Sequence, residues 1–183
     1  MPKKQRITEN IEIPKGVTVS VANGIFKVKG AKGEVSRNML NKNVSISIKD
    51  NLVEFSSDVD GKKTRKMMGT YSAHLRNMLR GAMEGHKYLL KICSGHFPMN
   101  VSVSKNEFVV KNLLGEKIPR VLRLDSRVSV KVDGEQVVVE SVDKEIAGQC
   151  AASIEQLAKR PSYDTRIFQD GIYIISKDGK DIK

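Results

Sequence analysis

The sequence predicts an α+β protein made of two copies of one domain. Three observations support this prediction: apolar residues alternate as in antiparallel strands, each half contains one helical pattern, and the halves match each other. The chain has 183 residues, enough for two small domains that each bury a core. We place the first domain at residues 1–84 and the second, which includes a C-terminal loop and strand, at residues 85–183.

The first half opens with two predicted β-hairpins. Residues 1–10 are polar, and we expect a partner or packing on the first sheet to order them. Apolar residues alternate over 17–28 around a turn at 22–24, and again over 44–55 around a turn at 49–51. Alternation on both sides of a short polar turn is typical of a hairpin.

A polar loop over 58–63 leads to a predicted helix at residues 67–83. Apolar residues at helical spacing indicate its buried face, which consists of Leu75, Met78, Leu79, Ala82 and Met83. Gly81 weakens the helix and Gly85 ends it. The next segment, residues 88–93, is predicted to form a strand, which is broken by residues 94–98.

The second half repeats this order of elements. An ungapped offset of 82 residues (108 − 26) aligns Phe26 with Phe108. Other matched pairs are Val19–Val101, Val28–Val110, Gly33–Gly115, Glu34–Glu116 and Leu40–Leu122. Residues 44–48 match 128–132, and a second apolar helical face follows over 147–158. We therefore predict two homologous domains, each a mainly antiparallel sheet packed with one helix.

The last 23 residues have no counterpart in the first half. Pro161 is expected to stop the second helix. A polar loop follows at 162–166, then a turn at Asp170-Gly171, an apolar strand at 172–175 and a lysine-rich tail.

The composition favours an anionic partner. The chain carries 32 Lys and Arg against 21 Asp and Glu, a net charge of +11, as nucleic-acid-binding proteins and some membrane-surface proteins do. Residues 1–84 contribute +8 (16 − 8) and residues 85–183 contribute +3 (16 − 13). No apolar run is long enough to span a membrane. The N-terminus lacks the apolar core of a signal peptide, so we expect the protein in the cytoplasm.

Catalytic and metal-binding chemistry finds little support in the sequence. Ser94 and His96 flank a glycine, which keeps a small hydrolase open as an alternative, but the nucleophile elbow is absent. His74 and His86 have no cysteine partner at zinc-site spacing. The remaining candidates are interpreted as structural. Cys93 and Cys150 are predicted to be buried thiols. Gly30–Gly33 fits the GxxG loop of KH domains, but that loop joins two helices and this one follows a predicted strand.

Clusters of basic residues are the remaining candidates for function. Arg76 and Arg80 share one helix, although like charges four residues apart disfavour it. The other clusters are Lys117, Arg120, Arg123 and Arg127, and then Lys159, Arg160, Tyr163 and Arg166. Such side chains neutralise phosphates. Only 9 residues are aromatic, so recognition of folded RNA by phosphates and shape is favoured over a platform of stacked bases.

Several sequence motifs occur together, and their combination is specific for one protein family. They are Gly69-Thr-Tyr-Ser-Ala-His-Leu-Arg-Asn-Met78, Ser94-Gly-His-Phe-Pro98, Asn112-Leu-Leu-Gly-Glu-Lys117, Asp143-Lys-Glu145 and Phe168-Gln-Asp-Gly-Ile-Tyr173. With them the chain resembles, over nearly its whole length, the universal large-subunit ribosomal protein family called L-six in bacteria and L-nine in eukaryotes. The second and last motifs are similar to the archaeal and eukaryotic branch.

The resemblance implies a non-enzymatic structural role in the large ribosomal subunit, without cofactor, metal or small-molecule substrate. It implies that the second domain is the main RNA-binding domain and grips ribosomal RNA near the sarcin–ricin loop and the stalk base. Neighbouring ribosomal proteins and docking translation factors are the other implied partners. The implied RNA contacts are His96, residues 117–123, and residues 160–171 with Gln169, Asp170 and Gly171. The alternative is a free RNA-binding regulator.

Overall fold

The structure is a computed structural model that describes residues 7–49, 51–59, 61–164 and 166–182. It divides into two compact units, Met1–Gly85 and His86–Lys183. Each unit combines antiparallel strands with one long helix, which confirms the predicted α+β class. Residues 1–6 of the polar N-terminus lie outside the described part of the chain.

The first unit contains two three-stranded antiparallel sheets, with strand orders β1-β6-β5 and β2-β3-β4. Its elements are β1 (Ile7–Glu12), β2 (Thr18–Ala22), β3 (Ile25–Gly30), β4 (Gly33–Asn38), β5 (Ser45–Lys49), β6 (Leu52–Ser57) and α1 (Lys62–Met83). Two sheets rather than one therefore accompany the helix. The predicted hairpins are correct, and β1 and β4 are strands that the sequence reasoning did not assign.

Local turn chemistry explains the first hairpin. Asn23 and Gly24 both have positive φ, +50° and +76°, as the tightest hairpin turns require. The turn brings Phe26 onto the inner face of β3, where its ring stacks on that of Phe55 at a centroid distance of 6.1 Å. Tyr71 of α1 lies against Phe55 at 6.5 Å, so this aromatic cluster joins the two sheets to the helix.

Helix α1 begins at Lys62, five residues before the predicted start. Four residues of the predicted buried face are buried, but Met83 is 39% exposed. Met83 is eight residues after the fully buried Leu75, which places it about 80° around the axis, at the margin of the face. The helix then ends because Gly85 adopts a φ of +80°, which favours glycine.

The second unit has sheets with strand orders β10-β9-β8 and β11-β12-β7-β13-β14. Its elements are β7 (His86–Cys93), β8 (Asn100–Ser104), β9 (Glu107–Lys111), β10 (Arg120–Arg123), β11 (Val128–Asp133), β12 (Gln136–Ser141), α2 (Lys144–Leu157), β13 (Gly171–Lys177) and β14 (Lys180–Asp181). A short 3-10 turn lies at Leu113–Gly115.

The predicted duplication is confirmed by the strand orders. The sheet β8-β9-β10 repeats β2-β3-β4, and β7-β12-β11 repeats β1-β6-β5. Phe26 and Phe108 occupy equivalent places: each is fully buried on the middle strand, opposite Val21 and Val103 respectively.

The ungapped alignment is nevertheless wrong beyond β9. Phe26 pairs with Arg37 in the first unit, whereas Phe108 pairs with Leu122 in the second. The offset there is 85 (122 − 37) rather than 82, so the second unit has three extra residues in this loop. Leu40 and Leu122 are therefore not equivalent. Gly33 begins β4 whereas Gly115 lies in the 3-10 turn, and the Glu34–Glu116 match fails with it.

The C-terminal segment also departs from the prediction. Helix α2 ends at Leu157, ahead of Pro161. Asp170 and Gly171 do not form a turn, because Gly171 starts β13 and pairs with Cys93. The lysine-rich tail is partly ordered: β14 pairs with β13. These added strands extend the second unit's sheet from three strands to five.

Candidate RNA interface

Three loops of the second unit lie against each other. They are residues 94–99, residues 112–119 and residues 158–170 apart from residue 165, and together we call them the three-loop surface. The amide of Asn112 donates a hydrogen bond to the carbonyl of Pro98 at 3.0 Å, which joins the first loop to the second. The inserted 3-10 turn belongs to the second loop, so the insertion enlarges this surface.

Asp170 fixes the first loop to the third. Its carboxylate accepts hydrogen bonds from the backbone N–H groups of Gly95 (2.8 Å) and His96 (3.0 Å) and pairs with Nδ1 of His96. Burial by itself raises the pKa of Asp170, but the hydrogen bonds from His96 and Gly95 outweigh burial and lower the pKa below its usual value. The carboxylate is therefore charged at neutral pH and holds the loop in place.

Arg120 fixes the second loop to the end of α2. Its guanidinium binds Glu116 through Nε and Nη2 at 2.8 and 2.7 Å. Nη1 donates to the carbonyls of Leu157 and Lys159 at 2.6 and 3.0 Å, so a cation satisfies carbonyls at the end of the helix. Hydrogen bonds from Arg120 also keep the pKa of Glu116 low.

These contacts change the expected role of Arg120. Four of the five N–H donors of an arginine are used inside the protein, and the side chain is only 25% exposed. The sequence reasoning predicted a phosphate contact. The structure instead makes Arg120 an anchor, because its neighbours Glu116 and α2 occupy the guanidinium.

A line of rings and one cation crosses the third loop. The His96 and Phe168 rings lie 5.0 Å apart, and Phe168 meets the Tyr163 ring edge-on at 4.9 Å. Arg160 lies over the Tyr163 ring at 4.3 Å and approaches Glu116 at 3.4 Å, as cation–π contacts require. The predicted residues His96, Arg160 and Tyr163 are thus brought together with Phe168, which lies in the predicted segment 160–171 but was not singled out there.

Other predicted cations on the same unit are highly exposed. Arg123 is 92% and Arg166 is 90% exposed, with carboxylates of Glu107 and Asp164 at 3.8 and 3.4 Å. Such exposed pairs contribute little stability, so either guanidinium can exchange its partner for a phosphate. Lys117, Lys159 and Gln169 are also exposed.

Two predicted contacts are buried instead. The side chain of Asp170 is only 2% exposed. Gly171 is buried, and a Cβ added to it would lie 3.2 Å from the ring of Tyr173. Both residues pack inside the second unit beside the three-loop surface, and their assignment as RNA contacts stays a prediction.

The predicted pair Arg76 and Arg80 belongs to the first unit, on α1. Arg76 lies 3.1 Å from Glu9, and Arg80 lies 3.4 Å from Glu84. Each guanidinium therefore has a carboxylate nearby, which explains how the helix tolerates two like charges four residues apart.

Sequence reasoning did not single out two groups of residues in the three-loop surface. Phe97 and Ile118 are exposed apolar side chains at the loop tips, and Glu116 is the acid that two arginines share. The spacing of Glu116 and Arg120, four residues apart, was an available signal for an ion pair. Nothing in the sequence pattern indicated that the apolar tips would be exposed.

The other candidate sites do not assemble. Among the described residues, the Ser94 hydroxyl makes no hydrogen bond to the His96 ring, which Asp170 holds instead. The glycines at positions 30 and 33 join strands β3 and β4, which excludes a KH loop between helices. In the described part of the chain no helix is long and apolar enough to cross a membrane.

The two cysteines and the two histidines that the sequence analysis rejected as zinc ligands have separate surroundings. Cys93 and Cys150 are free thiols that are half-buried rather than fully buried. Burial raises the pKa of Cys150 to about 11, which makes it a poor nucleophile at neutral pH. His86 is buried and pairs with Asp178 at 3.1 Å, whereas His74 lies on α1 of the other unit.

The fold and surface define a duplicated α+β protein whose second unit presents ordered loops with exposed cations. A family model described as Ribosomal protein L6 matches residues 13–85 and 97–171, one segment in each unit. The chain belongs to this family. Membership identifies a non-enzymatic protein, so the alternative of a hydrolase using Ser94 and His96 is set aside.

Archaeal relatives match over nearly their whole length, and each is named large ribosomal subunit protein uL6. The chain is 42% identical to the protein of Methanococcus vannielii over 180 residues, covering 98% of this chain and 99% of that one. It is 42% identical to the protein of Methanobrevibacter smithii over 172 residues (94% and 97%) and 40% identical to that of Methanosarcina mazei over 173 residues (94% and 98%).

Proposed function

We propose that the protein is a cytoplasmic structural constituent of the large ribosomal subunit. In this role its second unit binds large-subunit ribosomal RNA through the three-loop surface, near the sarcin–ricin loop and the stalk base, beside neighbouring ribosomal proteins and docking translation factors. One observation carries the proposal: Asp170 and Glu116 tie three loops into one surface while the cations beside them remain exposed.

The division between anchors and exposed cations suggests how RNA is held. Asp170, Glu116 and Arg120 have their polar groups satisfied within the protein, so the loops need not become ordered when RNA binds. Preordered loops lower the entropic cost of association. The exposed lysines and arginines then neutralise phosphates and release counterions, which makes the affinity fall steeply as salt rises.

Sedimentation tests the cellular assignment. We expect the native protein to sediment with large ribosomal subunits at moderate salt. A protein found only in the free pool would instead be the free RNA-binding regulator that the sequence left open. Chemical footprinting of the assembled subunit, with and without the protein, tests the finer location. Protections confined to RNA far from the sarcin–ricin loop and stalk base would disprove that part.

Matched variants test the surface itself. Replacing Lys117 and Arg166, which are exposed cations in two different loops of the three-loop surface, with Gln should weaken binding to a large-subunit RNA fragment. The slope of log affinity against log salt should become shallower by about 0.9 for each lost phosphate contact. Lys27→Gln combined with Lys29→Gln removes the same charge from exposed positions of β3. A larger effect of the β3 variant would place the main RNA contact in the more basic first unit.

A further inference from the structure

The outer face of helix α1 has a charge pattern that the fold does not require. Its 22 residues include six basic residues and no Asp or Glu. The basic residues are Lys62, Lys63, Arg65, Lys66, Arg76 and Arg80, and all are exposed. The first turn contains no acidic residue and Gly61 provides no side-chain cap, although acidic and capping side chains stabilise this end of a helix.

The duplicated unit provides an internal comparison. Helix α2 follows the equivalent strand and has ordinary electrostatics, with one lysine and two glutamates in 14 residues. Asp143 caps its N-terminus by accepting a hydrogen bond from the N–H of Glu145 at 2.9 Å. Because the same position in the same fold accepts a well-capped helix with a net charge of −1 (1 − 2), the cationic character of α1 is not a requirement of folding.

Four of the cations fall on one line along the helix. At about 100° per residue, six positions lie within roughly 80° of each other around the axis. They are Lys62, Lys66, Gly69, Ala73, Arg76 and Arg80, and all six are exposed. We call this line the α1 stripe: two cations at each end and two small residues between them.

The dimensions and side chains of the α1 stripe fit a nucleic acid duplex. The rise from Lys66 to Arg76 is about 15 Å at 1.5 Å per residue, on the order of a groove width between two phosphate strands. A Cβ added at Gly69 would meet no atom within 4 Å, so the helix surface there is open. Small side chains let the helix backbone approach the groove floor while the end cations reach the phosphates.

We propose that the α1 stripe is a second RNA-binding surface, which lies across a groove of double-stranded RNA and reads its shape without sequence preference. The choice of RNA as the partner rests on the proposed ribosomal role, whereas the stripe itself rests on the first unit alone. A-form RNA has a wide, shallow minor groove that proteins recognise by shape and phosphate contacts, which matches a flat helix face with charged ends.

Arg76 and Arg80 support this use despite their nearby carboxylates. The Arg76–Glu9 and Arg80–Glu84 pairs have exposed arginines, and exposed ion pairs hold their partners weakly. Arg76 can therefore turn towards a phosphate at little cost, and the side chain of Arg80 is half exposed. The lysines at the other end, Lys62 and Lys66, have the same like-charge spacing of four residues, which costs helix stability until an anion compensates it.

The test uses the full chain and a short blunt-ended RNA duplex. Lys62→Gln with Lys66→Gln should weaken duplex binding and reduce the salt slope by about 1.8, which is 0.9 for each of two phosphates. The matched control, Lys27→Gln with Lys29→Gln, removes two exposed lysines from β3 of the same unit and should change the slope much less. Thermal melts should show the α1 variant to be at least as stable as the wild type, because charge repulsion is relieved.

A neutral substitution separates shape from charge. Ala73→Gln adds bulk to the middle of the α1 stripe without changing net charge, and should weaken duplex binding at least threefold. Equal effects of the α1 and β3 variants, or no effect of Ala73→Gln, would overturn the proposal. The proposal would also be overturned if the Lys62→Gln, Lys66→Gln variant lost binding to phosphatidylserine vesicles while its binding to the RNA duplex was unchanged. Because Lys117→Gln with Arg166→Gln is measured in parallel, failure of the α1 stripe is distinguished from failure of the three-loop surface.

Discussion

Asp170→Ala should destabilise the second unit strongly, although the residue is not a member of the apolar core cluster. The mutation removes a carboxylate that accepts two backbone hydrogen bonds and pairs with the His96 ring. Hydrogen bonds to a charged group contribute about 1.5–3 kcal/mol each. Water can reach the exposed Gly95 and His96 and replaces part of the lost hydrogen bonding. We therefore expect a loss of about 2–4 kcal/mol in the free energy of unfolding.

Asp170→Asn separates charge from hydrogen bonding. The amide oxygen keeps the two backbone bonds, so the expected loss at pH 7 is smaller, about 1 kcal/mol. The pKa of Asp170 is lowered in the folded protein, so its stabilisation is complete above the ordinary Asp pKa of about 4. It disappears as the pH falls through the folded pKa. The difference between wild type and Asp170→Asn should therefore shrink below about pH 4.

Amide hydrogen exchange in β13 measures these effects locally, because the chain has two units and one denaturation curve need not report either alone. Asp181→Asn is the control, since this exposed aspartate lies on β14 of the same sheet. The reasoning is refuted if Asp170→Ala and Asp181→Asn exchange at equal rates. A difference between wild type and Asp170→Asn that does not change between pH 7 and pH 3 would refute the assigned role of the charge.

Two further predictions concern packing and capping. Leu79→Ala should destabilise the first unit by about 2–5 kcal/mol, because Leu79 is buried. The control Met83→Ala should cost clearly less, because Met83 is partly exposed. Equal losses in urea denaturation would show that the wrong face of α1 was assigned to the interior. Arg120→Ala should lower the melting temperature of the second unit and expose the end of α2 to hydrogen exchange. The control Lys117→Ala changes an exposed neighbour and should have neither effect. Loss of RNA binding by Arg120→Ala without any loss of stability would contradict the anchor role.

Local patterns were sufficient for most of the fold. The alternation around Asn23-Gly24 predicts a hairpin because strand side chains point alternately to two faces, and glycine accepts the positive φ of the turn. The spacing of Leu75, Met78, Leu79 and Ala82 predicts one face of a helix for a similar reason. The duplication was visible because both units bury the same residues of equivalent strands, such as Phe26 and Phe108.

The sequence by itself therefore determined the two-unit α+β architecture, the order of its hairpins and the list of basic residues from which RNA contacts can be chosen. It could not separate anchors from free cations. Arg120 meets the carbonyl of Leu157 across 37 residues of chain, and Asp170 meets His96 across 74. Only the tertiary structure decided these roles, because a side chain's hydrogen-bond partners depend on which distant segments the fold brings beside it.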